Sequence, residues 1–98
     1  MSEMKKKPMQ LKINLSEEIA QGMYVNLSMV NHTETEFTVD ALYVQPQQPK
    51  ANVRSRLILS PLHTKRLLMA LQDNIHRYED RFGEIKLKGP NPADPLLQ

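Results

Sequence analysis

Three histidines, three glycines and a run of cations are the residues here whose chemistry could be put to use. A structural or catalytic metal needs ligands at short loop or helical spacings. His32, His63 and His76 offer none: the pattern places them in a loop, in a first helical turn and on an outer helix face. Gly22, Gly83 and Gly89 stand alone, so there is no glycine-rich loop to cradle a phosphate or dinucleotide. Ser28, Ser55 and Ser60 lack a recognisable nucleophile motif. The expectation is no catalytic residue, no metal and no cofactor, hence no enzyme.

The densest polar constellation is basic: Lys50, Arg54, Arg56, His63, Lys65 and Arg66 lie between residues 50 and 66, where a strand should enter a helix. Beside a helix N-terminus, Lys50, Arg54, Arg56, Lys65 and Arg66 form a candidate anion or phosphate-backbone site. Arginines on an edge strand also discourage edge-to-edge aggregation, and that plainer role is the favoured reading. The acid that matters is Asp40, which a hairpin would set opposite or diagonal to Arg56.

These side chains have to be positioned by a helix over residues 60–83. Ser60 can cap the first free backbone donors, Pro61 suits the first helical position, and Gly83 can take the turn that ends the helix. Between them Thr64, Leu68, Leu71, Ile75, Tyr78 and Phe82 follow alternating steps of four and three, with Leu67 alongside. That spacing is shared by a coiled-coil seam and by the underside of a helix on a sheet; at this length the sheet is expected. Leu62 and Met69 form a smaller patch on the opposite flank, a pair of scattered surface apolars or a contact with a second copy.

Upstream, Leu11, Ile13 and Leu15 alternate with polar residues and predict a first strand over 10–15. The run SEEIAQG is either one helical turn capped by Ser16 and closed by Gly22 or a continued irregular strand. Residues 23–31 and 36–44 predict a hairpin across HTET, and residues 53–59 a fourth strand after the proline-containing 45–52 connection. EIKLK, residues 84–88, alternates briefly and could add an edge strand. The expected fold class is α+β: a four-stranded antiparallel meander with one long C-terminal helix packed on one face. Residues 1–9 read as a flexible arm, 10–88 as the single domain, and the proline-rich 89–98 as a disordered tail.

With Phe37, Val39, Ala41, Tyr43, Val53, Ser55, Leu57 and Leu59 turned to the helix, the other sheet face collects Ser28, Thr38, Asp40, Arg54 and Arg56. Val30, Leu42, Val44 and Ile58 lie among them. So many branched aliphatics on a supposedly solvated face point to a covered one. Asp40, Leu42, Val44, Arg54, Arg56 and Ile58 are therefore the candidate interaction residues.

A chain of 98 residues with net charge +2 supports one domain, and its charge is far short of that of a dedicated nucleic-acid binder. It has no cysteine and no run of about 18 apolar residues, so disulfides, membrane spans and a secretory leader are not expected, and cytoplasm is the default.

The runs EFTVD, the Ser55 and Arg56 pair, SPLHTKRLL and YEDRFGEI, within residues 11–85, resemble an uncharacterised family of short prokaryotic proteins catalogued as a domain of unknown function. Ala41 stands where that family's pattern carries an aromatic. The resemblance supports the fold and implies no activity, cofactor or catalytic residue. The expected function is a non-enzymatic protein-interaction or assembly module, a homo-oligomer that could also take an unidentified protein partner. The alternative is a weak nucleic-acid or phosphate binder working through the basic strand-to-helix region.

Overall fold

The computed structural model describes residues 9–89, so the expected arm and tail fall almost wholly outside the described residues. Element order is α1 (Glu17–Ala20), β1 (Leu27–His32), β2 (Phe37–Val44), β3 (Ala51–Leu59) and α2 (Pro61–Phe82). The strands form one antiparallel sheet in the order β1-β2-β3. Among the described residues the α+β class and the meander hold, with three strands rather than four.

The missing strand is residues 10–15, which carry no regular structure and leave Leu11, Ile13 and Leu15 exposed. Alternation specifies a face but not a partner, and this segment pairs with neither open edge of the sheet. Residues 84–88 are likewise not a strand. The SEEIAQG run resolves to a single turn: Ser16 accepts a hydrogen bond from the Ile19 amide, and Gly22 follows at φ +78°.

The larger correction concerns α2. Its ends form as the sequence requires: Ser60 accepts from the His63 amide, Pro61 is the first helical residue, and Gly83 (φ +102°) donates its N–H to the Glu79 carbonyl. Yet the helix does not lie on the sheet. Thr64 and Leu67, in its first two turns, and Glu79 near its end are half-buried, while Leu71 is 53%, Tyr78 50% and Phe82 66% exposed. The cause is the connection. β3 ends at Leu59 and α2 begins at Pro61, leaving Ser60 alone between them, whereas strand-to-helix connections that fold a helix back usually span about 2–6 residues. The helix therefore leaves the sheet.

What core there is belongs to β2, the central strand. Among the described residues Leu42 is the buried hydrophobic side chain and Asp40 the buried polar one. Replacing Leu42 with Ala is expected to cost about 2–5 kcal/mol in denaturant unfolding, since it empties the best-covered apolar position of a thin sheet. A loss under about 1 kcal/mol would contradict this placement of the core.

Candidate functional site

The register of the sheet decides which candidate residues meet. β1 and β2 pair Leu27 with Leu42, Met29 with Asp40 and Asn31 with Thr38. β2 and β3 pair Thr38 with Ile58, Asp40 with Arg56 and Ala41 with Ser55, then slip so that Leu42 faces Val53. Arg54 is thus the extra residue of a β-bulge, which re-aims side chains on the bulged strand. One face carries Leu27, Met29, Thr38, Asp40, Leu42, Val44, Val53, Arg56 and Ile58, because directly opposed residues share a face.

Of the predicted interaction set, Asp40, Leu42, Val44, Arg56 and Ile58 are brought together and Arg54 is not. Arg54 lies over the Tyr43 ring at 5.7 Å on the opposite face, where Tyr24 meets Tyr43 edge-on at 6.2 Å. The bulge also moves Val53 from the expected helix-facing set to the Asp40 face. β1 departs from expectation in the same way: Met29 and Leu27 accompany Asp40, while Ser28 and Val30 sit opposite Ala41 and Val39 on the other face. A one-residue slip inverts a strand, and a bulge of one residue cannot be read from alternation.

At the centre of the first face, Arg56 grips Asp40 with two parallel bonds: Nε donates to Oδ1 at 2.7 Å and Nη2 to Oδ2 at 3.0 Å. The carboxylate is almost covered, with its side chain 6% exposed, while the Arg56 side chain is 61% exposed. Bidentate guanidinium–carboxylate contacts are among the stronger charge-assisted hydrogen bonds. The hydrogen bond from Arg56, reinforced by its charge, holds the Asp40 carboxyl below its ordinary value although burial pulls the other way. Asp40 reciprocally raises the Arg56 guanidinium. The covered carboxylate thus has both its oxygens engaged by Arg56.

The basic constellation is pulled apart. Lys50 precedes the nine residues of β3 and Lys65 and Arg66 follow them, a separation of about 30 Å along an extended strand. Arg54 is engaged with Tyr43 and Arg56 with Asp40, and His63 is in the first turn of α2. No single anion-binding surface gathers all of these side chains.

Two features escaped the sequence reading. Asn26 acts as an extra rung of the β1–β2 ladder, its Nδ2 donating to the Val44 carbonyl at 3.1 Å and its Oδ1 accepting from the Val44 amide at 2.8 Å. An asparagine before a strand carries no signal for this use. Second, Ile19, Met23 and Val25, running out of α1, join Ala41 and Ser55 around an open groove of about 340 Å³. The small side chains of Ala41 and Ser55 face each other in register there, which leaves room between the strands and the α1 segment. Among the described residues no group of metal-ligating side chains occurs, and no helix is long and apolar enough to cross a membrane.

The lowered Asp40 pKa sets a pH dependence. The carboxylate contributes stability above its unfolded value near pH 4 and loses it as pH falls and the folded group is protonated. Asp40→Asn should therefore melt below the wild type at pH 7, with the gap closing as pH drops through about 4 and below. A gap of the same size at pH 2.5 would show that the pair's charge is not what matters.

No curated protein and no solved structure matches the chain. A family model does, over residues 1–87, described as protein of unknown function (DUF3467). Covering most of the chain, that match makes this protein a member of the DUF3467 family.

Proposed function

We propose that this chain is a small non-enzymatic interaction or assembly module of the cytoplasm that associates with itself. The observation that carries the reading is the uncovered apolar stripe of α2: Leu68, Leu71, Ile75, Tyr78 and Phe82 face solvent in a single copy. Single apolar residues on a surface are ordinary, but a contiguous helical stripe is not. The helix itself argues for a partner, since long helices in proteins are held mainly by the packing of their apolar face.

The non-enzymatic part rests on the self-satisfied Asp40–Arg56 pair, and the cytoplasmic part on a cysteine-free composition that suits a reducing compartment. The binder alternative loses ground because Arg54 and Arg56, the strand cations it relied on, are spent on Tyr43 and Asp40.

Light scattering on the full chain at tens of micromolar should return a multiple of 11.3 kDa. A mass that stays at 11.3 kDa, together with DNA or RNA binding that collapses between about 50 and 200 mM salt, would replace this reading with the binder.

A further inference from the structure

We infer that α2 pairs with α2 of a second copy in antiparallel alignment, with Lys65 of each copy meeting Glu79 of the other. This deepens the self-association just proposed and rests on it; what it adds is the surface and its orientation. The stripe 64, 68, 71, 75, 78, 82 has the four-three spacing of a helix-pairing seam, and beyond the half-buried Thr64 the sheet of its own copy leaves it exposed. In an antiparallel two-fold pairing its rungs are Thr64 with Phe82, Leu68 with Tyr78, and Leu71 with Ile75, each repeated by symmetry. The smallest seam residue then meets a large one, and the axis falls between the two best-matched aliphatics.

Charge selects the orientation. One flank of the stripe carries Lys65, Gln72 and Glu79, and the other Leu67, Asn74 and Arg81. Antiparallel pairing sets like flanks together: Lys65 meets Glu79 of the second copy at both ends, and neutral amides meet at the axis. Parallel pairing would bring Asn74 to Glu79 and Leu67 to Gln72, with no charge pair. In the single copy Lys65 makes no ion pair among the described residues. Glu79 uses Oε2 to accept the Ile85 amide at 3.0 Å, which leaves Oε1 for a second contact. The side-chain pairs that α2 makes within itself, the Asp73–Arg77 ion pair at 2.6 Å and the contact of His76 with Asp80 at 3.6 Å, lie on the side away from the stripe. The solvent face is thus charged and internally paired, while the apolar face and its flanking charges await a partner. A two-fold, self-complementary contact of this kind is the commonest route to a closed dimer.

Charge reversal with rescue tests the pairing. Lys65→Glu and Glu79→Lys should each weaken self-association about tenfold or more at low ionic strength, because each turns two attractive contacts into two repulsive ones. The double variant should recover most of the wild-type affinity. Orientation is read separately from nitroxide labels on introduced cysteines, which the cysteine-free sequence makes unambiguous. Labels at Asn74→Cys should sit across the axis from each other, and labels at Arg66→Cys about 20 Å apart along the helix pair. A chain that stays at 11.3 kDa overturns this inference together with the self-association beneath it. An oligomer that Lys65→Glu leaves intact, or whose labels at 66 are as close as those at 74, overturns the antiparallel helix pairing alone.

Discussion

A connection of one residue governs this fold. Leu59 closes β3, Ser60 caps α2, and Pro61 is already helical. Ser60 is extended at φ −68°, ψ 156°, and its side chain is committed to the His63 amide. With its only linking residue fixed by capping, the chain has no slack in which to reverse. A helix built with an apolar face therefore points away from the sheet that the same chain makes, and the deficit in burial follows. The sheet is left three strands thick in sequence but one layer deep in space, with Leu42 as its buried hydrophobic side chain. Layered domains bury an apolar face against a second layer; among the described residues no second layer lies on this sheet.

Within the sheet, specificity is supplied by polar devices. The Asp40–Arg56 clasp ties the central strand to β3 at one register, and a slip would leave a covered carboxylate without its partner, an expensive outcome. Asn26 ties β2 to the segment before β1 through both backbone groups of Val44. The Thr33 hydroxyl accepts from the Thr35 and Glu36 amides and fixes the first hairpin turn. Together these set the register of a sheet too thinly covered for apolar packing alone to specify it.

Local chemistry was legible in the sequence to the extent that it is local. Ser60, Pro61 and Gly83 mark the helix because capping involves residues three or four apart, and Asp40 and Arg56 could be matched across a hairpin whose loop was visible. The bulge at Arg54 was not legible, since nothing in alternating apolar residues reports an added one, and it alone sent Val53 and Arg54 to the faces opposite those expected. The strand expected at 10–15 failed for a different reason: Leu11, Ile13 and Leu15 describe a face, and pairing depends on an edge elsewhere. The helix stripe was legible as a contiguous apolar face, and it was assigned to a sheet that leaves it exposed. Its spacing is common to a helix seam and to a helix lying on a sheet, and the deciding fact, a connection too short to turn, lies in where β3 ends.

The claim on which this account stands is that the α2 stripe is covered by another molecule. Amide hydrogen exchange followed over a range of protein concentrations measures that directly, because protection that comes from association falls on dilution whereas protection from a chain's own packing does not. The account predicts that protection across residues 68–82 weakens as the protein is diluted, while the amides of β2 that pair within the sheet change less. Protection of 68–82 that is strong and independent of concentration would contradict it, and would mean that the helix finds its cover within a single chain.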